Sequence, residues 1–259
     1  MSRRVIFCYG DSLTYGFPDP ATPYSMYLER ELNDLYDDED DDDDDDSSSS
    51  SSSSKPTSET TRVVARHLGI PGYTARMMLD HINDDRTGLC PVIWRDRADR
   101  AISLVVILAG TNDIAMMEDT STDVARSILR TIIDLHERAI ECHGEDDGGG
   151  DGDDDGDDDD TRRLHTLAIG IPGSAYQNMV RAAADFATYI NDGLRAFASS
   201  SSSSSSSPSN SRISYVDFPF PYNENGEEWN EDGLHLSEMG YQRLGRELAH
   251  RVKEILDGH

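Results

Sequence analysis

Apolar positions along this chain alternate between short Val- and Ile-rich runs and longer stretches with helical spacing. The run at 102–108, ISLVVIL, is almost wholly apolar, which is typical of a strand covered on both faces. Runs of this kind predict strands at 4–9, 61–66, 102–108, 164–170 and 212–218. Between them, apolar residues recur every three or four positions and predict helices over 23–36, 121–142, 175–198 and 238–256.

This alternation of strands and helices predicts an α/β fold. Strands separated by helices pair in parallel, so we expect a three-layer α/β/α sandwich with a five-stranded parallel sheet. In sheets of this kind, ligands bind at the carboxyl ends of the strands. The residues that directly follow the strands are therefore the candidates for a functional site.

Three low-complexity segments interrupt the pattern. Asp37 to Ser54 is acidic and then serine-rich, Glu145 to Asp160 is an Asp/Gly run, and Ser199 to Ser207 contains only serines. Because these segments offer almost no apolar surface to bury, we expect them to be solvated and mobile. Each follows a helical pattern and precedes a strand, where an insertion adds little loop-closure entropy. The chain is therefore predicted to be one domain, 1–259, with insertions at 37–54, 145–160 and 199–207.

The net charge of the chain, -28, comes mostly from two of these segments. The runs at 37–46 and 145–160 hold 10 and 11 acids, which leaves 30 Asp and Glu against 23 Lys and Arg elsewhere. The rest of the chain is thus only mildly acidic. Nucleic acid is therefore not an expected partner.

The cysteines and the N-terminus suggest a location. Cys8, Cys90 and Cys142 form a sparse, odd set without CxxC spacing, so neither a disulfide framework nor a zinc site is expected. The first residues, MSRRVIFCYG, run straight into strand-like sequence, so no signal peptide is expected there. No apolar stretch is long enough to span a bilayer. A cytoplasmic or other intracellular location is the resulting expectation.

Four segments that follow predicted strands contain residues suited to hydrolysis. Ser12 lies just beyond the first strand, where its hydroxyl and backbone N–H could meet a substrate. Gly72 follows the second strand and offers an unhindered N–H, and Asn112 follows the third with a side-chain amide. Asp232 and His235 form a D-x-x-H turn before the last helix, in which the carboxylate can reach the imidazole Nδ1–H.

Each segment alone also has an ordinary structural interpretation, such as a helix N-cap or a turn. Together, in this order, they resemble the SGNH hydrolases, also called the GDSL esterase/lipase family, over the whole chain apart from the insertions. The resemblance implies a flavodoxin-like fold with Ser12 as nucleophile, His235 as base and Asp232 as the triad acid. It also implies an oxyanion hole formed by the backbone N–H groups of Ser12 and Gly72 and the side-chain amide of Asn112.

The flanking carboxylates are expected to support this site. Asp11 and Asp113 stand beside the candidate nucleophile and the candidate oxyanion-hole amide, and such carboxylates commonly bond nearby backbone. Asn112 and Asp113 lack a further carboxylate or histidine at ligand spacing, so no metal is expected, and no cofactor is implied.

The implied activity is hydrolysis of carboxylic esters with a small or medium acyl group through an acyl-enzyme. The expected partner is thus a small-molecule ester; the oligomeric state is left open. The same residues would also serve a carbohydrate deacetylase, a lysophospholipase or thioesterase, or an acyltransferase. A non-enzymatic alternative is a binding protein whose acidic and serine tracts recruit basic partners on an inactive carrier fold. The complete set of site residues favours an enzyme.

Overall fold

A parallel sheet forms the centre of the protein. The computed structural model describes residues 2–41, 61–97, 102–117, 119, 121–144, 164–200 and 212–258. The strands are β1 (Ser2–Gly10), β2 (Thr61–Gly69), β3 (Ile102–Leu108), β4 (His165–Ile169) and β5 (Ile213–Val216). They pair in the order β2-β1-β3-β4-β5, with every neighbouring pair parallel. The predicted α/β fold with a five-stranded parallel sheet is therefore confirmed, and its strand order is the flavodoxin-like one.

Helices cover both faces of this sheet. They are α1 (Ser12–Tyr15), α2 (Tyr24–Asp41), α3 (Ala75–Asp80), α4 (Leu89–Arg97), α5 (Thr111–Ala115), α6 (Thr122–Gly144), α7 (Ala175–Met179), α8 (Arg181–Ser200) and α9 (Glu238–Asp257). The short helices α1, α3 and α5 were not predicted, because one or two turns show no apolar period. The single helix predicted over 175–198 is wrong: Val180 adopts an extended conformation and separates α7 from α8.

The ends of two helices overlap segments that were predicted to be insertions. Helix α2 continues to Asp41 and helix α8 to Ser200, so both helices run into the segments predicted to begin at 37 and 199. A helix that is already nucleated and packed elongates at little cost, even into polar sequence. The remaining residues of the three low-complexity segments lie outside the described residues. The division into one domain with insertions stays a prediction.

The core consists of two apolar clusters, one on each face of the sheet. Alternate residues of β1 enter opposite clusters: Val5, Phe7 and Tyr9 face one side, and Ile6 and Cys8 face the other. On the first face they pack with residues of α3, α4, α6 and α8. On the second face they pack with α2 and α9. Burial on both faces explains why the β3 sequence is almost wholly apolar.

A disulfide contradicts the expectation from the cysteines. Cys90 on α4 and Cys142 on α6 are bonded across the first face, with their Cα atoms 5.6 Å apart, whereas Cys8 is buried and unpaired. Spacing of 52 residues carries no sequence signature; the pairing arises because both helices pack on the same side of the sheet. The cysteines therefore no longer support the expected cytoplasmic or other intracellular location. Within the described ranges, no helix is long and apolar enough to cross a membrane.

Candidate active site

Ser12 is held just beyond the carboxyl end of β1, which pairs with β2 on one side and β3 on the other. Asp11 caps the short helix α1, and its Oδ1 accepts a hydrogen bond from the N–H of Leu13 at 3.0 Å. Ser12 is the first residue of that helix, so its own N–H has no acceptor within the helix. Gly10 is required for this sharp turn, because a Cβ there would lie 2.2 Å from Oγ1 of Thr14. In this position, at the edge of the sheet, Ser12 is 6% exposed.

His235 connects Ser12 to Asp232. The imidazole Nε2 lies 2.9 Å from Oγ of Ser12, and its Nδ1 lies 2.6 Å from Oδ2 of Asp232. A carboxylate at Nδ1 favours the tautomer that carries its proton there, which leaves Nε2 free to accept the serine proton. The three side chains thus form one continuous path of hydrogen bonds.

Asp232 is well suited to remain ionised in this path. Its Oδ1 accepts hydrogen bonds from the N–H groups of Leu234 and His235, both at 2.9 Å. Partial burial raises the pKa of the carboxyl, but these bonds and the one from the imidazole outweigh burial and lower the pKa below its ordinary value. The carboxylate therefore carries a negative charge beside the imidazole at neutral pH.

Asn230, to which the sequence assigned no role, closes the loop that carries this pair. Its side-chain amide donates to the carbonyl of Leu236 at 2.8 Å, and its backbone N–H donates to the carbonyl of His235 at 2.9 Å. Its carbonyl accepts from Gly233, which has a φ of 65°. These bonds have no signature in the sequence, because they depend on the folded conformation of the loop. They stabilise the D-x-x-H turn.

Gly72 lies in a turn that directly follows β2. Pro71 and Gly72 are the central residues of a turn closed by the N–H of Tyr73 and the carbonyl of Ile70, 3.1 Å apart. Gly72 has a φ of 83°, as the third residue of a type II turn requires. A Cβ at Gly72 would meet nothing within 4 Å, so this position faces open space. The N–H of Ile70 donates to the carbonyl of Gly10 at 2.9 Å and fixes the turn against β1.

Asn112 is tied to the same turn. Its Nδ2 donates to the carbonyl of Tyr73 at 2.9 Å, and Oδ2 of Asp113 accepts from the N–H of Ala75 at 2.8 Å. These two bonds join the loop after β3 to the loop after β2. An amide nitrogen has two protons, so the bond to Tyr73 leaves the second proton of Asn112 available. Asn112 is 7% exposed and lies in the first turn of α5.

Asp11 and Asp113 both bond backbone, as expected of supporting carboxylates. Burial raises the pKa of Asp11 to about 7, against the opposing effect of the Leu13 N–H. Burial likewise raises the pKa of Asp113, which the N–H of Ala75 partly offsets. Both carboxyls therefore lose charge more readily than a carboxyl in water.

The structure brings the sequence-predicted residues to one edge of the sheet. Gly10, at the end of β1, pairs in register with Gly69 of β2 and Leu108 of β3, so the loops after these three strands are neighbours. Ser12 joins His235 by a hydrogen bond, and the Gly72 turn joins Asn112 through Tyr73. Their roles in a reaction remain predictions.

One aromatic contact at this site was not predicted. The ring of Phe17 lies against the His235 imidazole, with the ring centroids 4.5 Å apart and the planes inclined by 50°. The two residues are far apart in sequence, and a phenylalanine after a glycine has no signature that would indicate a histidine partner.

Comparisons with solved structures are consistent with this fold. An aryl esterase from M. smegmatis has a TM-score of 0.56 and 18% identity, covering 97% of this chain and 99% of that chain. A carbohydrate acetylesterase from Sinorhizobium meliloti has a TM-score of 0.55 and 16% identity, with the same coverage. A lipase/acylhydrolase from Enterococcus faecalis has a TM-score of 0.54 and 18% identity, covering 97% and 96%. At these identities the likeness concerns the fold alone.

Sequence comparisons identify the family. Curated proteins gave no match. The model of the GDSL-like lipase/acylhydrolase family, in contrast, matches residues 8–243, which include every candidate site residue from Asp11 to His235. The chain therefore belongs to the GDSL-like lipase/acylhydrolase family.

Proposed function

We propose that this protein is a serine hydrolase that cleaves carboxylic esters with a small or medium acyl group. The observation that carries the proposal is the path of hydrogen bonds from Ser12 through His235 to Asp232, at 2.9 and 2.6 Å. Serine is a weak nucleophile until a base within hydrogen-bond reach removes its proton. Family membership supports acyl hydrolysis as the general chemistry.

The first half-reaction forms an acyl-enzyme. Oγ of Ser12 attacks the ester carbonyl carbon while Nε2 of His235 takes the hydroxyl proton. The ionised Asp232 keeps the Nδ1 proton in place and stabilises the imidazolium that forms. Collapse of the tetrahedral intermediate breaks the bond to the alcohol oxygen, which leaves with the proton from Nε2. Ser12 then carries the acyl group as an ester.

The negative oxygen of the tetrahedral intermediate would be bound by three donors. These are the N–H of Ser12, the N–H of Gly72 and the second amide proton of Asn112. The bond from Asn112 to the Tyr73 carbonyl supports this role, because it fixes the amide before substrate arrives. Loss of one such donor generally lowers kcat by about 10²- to 10³-fold.

The second half-reaction releases the acid. Nε2 of His235 takes a proton from water, and the resulting hydroxide attacks the acyl carbon. When this second intermediate collapses, Oγ of Ser12 leaves and recovers its proton from Nε2. An alcohol that replaces this water would give acyl transfer instead, with the same residues in the same roles.

Hydrolysis of a p-nitrophenyl ester series, from acetate upward, tests the mechanism. We expect turnover by the wild-type protein and its loss in Ser12→Ala, with circular dichroism unchanged. The series would also define the preferred acyl length. Equal turnover in both proteins, or none on any ester, would refute the proposed Ser12 mechanism for these substrates.

The chain offers a matched control for this substitution. Ser25, on α2, also contacts a histidine: its Oγ lies 3.0 Å from Nδ1 of His67. Ser25 is 1% exposed and has no part in the proposed mechanism. We therefore expect Ser25→Ala to retain full turnover, so that loss in Ser12→Ala alone identifies the nucleophile.

Two further substrates and one deletion separate the alternatives. A carbohydrate acetylesterase is among the proteins of similar fold, so an acetylated monosaccharide belongs in the substrate series. A thioester of the same acyl group distinguishes esterase from thioesterase activity. A variant without 42–54, 145–160 and 201–207 should still hydrolyse esters, whereas the recruitment hypothesis predicts that binding of a basic partner is lost with these tracts.

A further inference from the structure

Phe17 connects the segment that carries Ser12 to the segment that carries His235. It follows Gly16, whose φ of 86° turns the chain at the end of α1. The N–H of Phe17 donates to the carbonyl of Ser12 at 3.0 Å. Its ring then lies against the imidazole, at 4.5 Å between centroids. The residue thus contacts the nucleophile through its backbone and the base through its side chain.

A second bond holds Phe17 from the side of α9. The hydroxyl of Tyr241 donates to the carbonyl of Phe17 at 2.8 Å. Tyr241 is 1% exposed and belongs to α9, whose N-cap, Ser237, lies two residues after His235. The phenylalanine is therefore fixed by both of the chain segments that must meet in the triad.

The exposure of the triad indicates what this ring contributes. The side chain of Asp232 is 45% exposed, whereas that of His235 is 13% exposed. Water can therefore reach the carboxylate and compete for the Nδ1–H of His235. A ring packed on the imidazole restricts its rotation by a contact that water does not replace, and aromatic pairs of this geometry are favourable beyond the area they bury.

From these observations we propose that Phe17 is a positioning residue, which holds the His235 imidazole in line between Ser12 and Asp232. This inference rests on the proposed function, because it concerns a histidine that acts as the base. His235 moves a proton in both half-reactions. Its position therefore matters equally for formation and for breakdown of the acyl-enzyme.

Substitution of Phe17 tests the proposal kinetically. We expect Phe17→Ala to lower kcat by about twofold to tenfold, the range that the energy of an aromatic pair supports. The burst rate of p-nitrophenol release and the steady-state rate should fall by similar factors for every acyl length, with little change in KM. Phe17→Tyr, which keeps the ring, should restore kcat. A rise in KM at constant kcat, or a loss that depends on acyl length, would instead make Phe17 a wall of the substrate pocket and overturn the proposal.

Proton NMR provides a readout that does not depend on substrate. The Nδ1–H of His235, bonded to Asp232 at 2.6 Å, should give a downfield resonance that is absent from Asp232→Asn. We expect this resonance in the wild-type protein and in Phe17→Tyr. In Phe17→Ala it should broaden or vanish, because a less restrained imidazole exchanges its proton with water faster. An unchanged resonance in Phe17→Ala would contradict the proposed positioning.

Two controls distinguish failure of the Phe17 proposal from failure of the proposed function. Tyr189 on α8 is 37% exposed, close to the 39% of Phe17, so Tyr189→Ala removes a similar aromatic surface and should leave kcat and the resonance unchanged. Turnover that persists in Ser12→Ala would refute the proposed function itself. Loss of turnover in Ser12→Ala, together with wild-type kcat and resonance in Phe17→Ala, would refute only the role of Phe17.

Discussion

Reduction of the disulfide between Cys90 and Cys142 should lower the stability of the fold by an amount that follows from the separation of the two cysteines along the chain. The two residues are separated by 52 positions, so the bond closes a long loop in the unfolded chain. For a loop of this length, the loop-closure relation gives an entropy loss of about 14 cal/mol/K in the unfolded chain. At about 25 °C this loss stabilises the folded protein by about 4 kcal/mol. Both sulfurs are buried, and reduced cysteines behave as small apolar side chains, so reduction itself leaves the packing nearly unchanged.

Urea unfolding with and without reductant measures this difference. Trp94 is a suitable fluorescent probe, because it lies on α4 and its Nε1 donates to the carbonyl of Cys142 at 3.1 Å. A loss of about 4 kcal/mol should lower the urea midpoint by about 1 M or more. Hydrolysis at low urea should be unaffected, since neither α4 nor α6 carries a residue of the proposed triad.

A thiol assay and a double variant test the reasoning behind this value. In denaturant without reductant, the protein should show one reactive thiol, that of Cys8, and three after reduction. The unfolding midpoint of Cys90→Ala/Cys142→Ala should not respond to reductant. Three thiols before reduction, or equal midpoints for the oxidised and reduced wild type, would refute the predicted stabilisation.

Four further substitutions have outcomes that follow from the structure. Asp232→Asn should lower kcat by about 10³- to 10⁴-fold with the fold intact, because an amide does not stabilise the imidazolium; steady-state kinetics and circular dichroism check this. Asp11 has its pKa raised to about 7 by burial, so the folded protein holds a proton that the unfolded chain releases near its ordinary value of 3.8. As pH rises from about 4 to about 7, the unfolding free energy of the wild type should therefore fall relative to that of Asp11→Asn, by at most about 4 kcal/mol. Urea titrations in which the difference between the two proteins does not change with pH would contradict this. Gly72→Ala should lower the free energy of unfolding by about 1 kcal/mol, because φ is 83° although a Cβ would meet nothing within 4 Å. Gly69→Ala should lower it by about 3 kcal/mol, because its Cβ would lie 2.0 Å from the Tyr15 nitrogen. A higher urea midpoint for Gly69→Ala than for Gly72→Ala would be inconsistent with these contacts.

The parts of the molecule that could be predicted from sequence are those set by local patterns. An apolar run such as 102–108 indicates a buried strand wherever it occurs, and parallel strands place the residues that follow them at one edge. Ser12, Gly72 and Asn112 each follow a strand, so the sheet alone is enough to bring them near one another. The D-x-x-H turn is equally local, since its carboxylate and imidazole are only three residues apart.

The features that sequence did not reveal depend on contacts between distant segments. The bond between Cys90 and Cys142 requires α4 and α6 to pack on the same face of the sheet. The contact between Phe17 and His235 requires the first turn after β1 to meet the loop before α9. The break at Val180 occurs inside an otherwise continuous helical pattern, so apolar periodicity does not locate it.

The parallel sheet also has a practical consequence for attaching this enzyme to other materials. In a sheet of this kind, connections from helix to strand lie at the edge opposite the carboxyl ends of the strands, and so opposite Ser12. The helix ends Asp41, Gly144 and Ser200 and the starts of β2, β4 and β5 all belong to that edge. A tether or a fused protein attached at these helix ends would leave the edge that carries Ser12 turned toward the solution, so immobilisation there should not obstruct access to the proposed site.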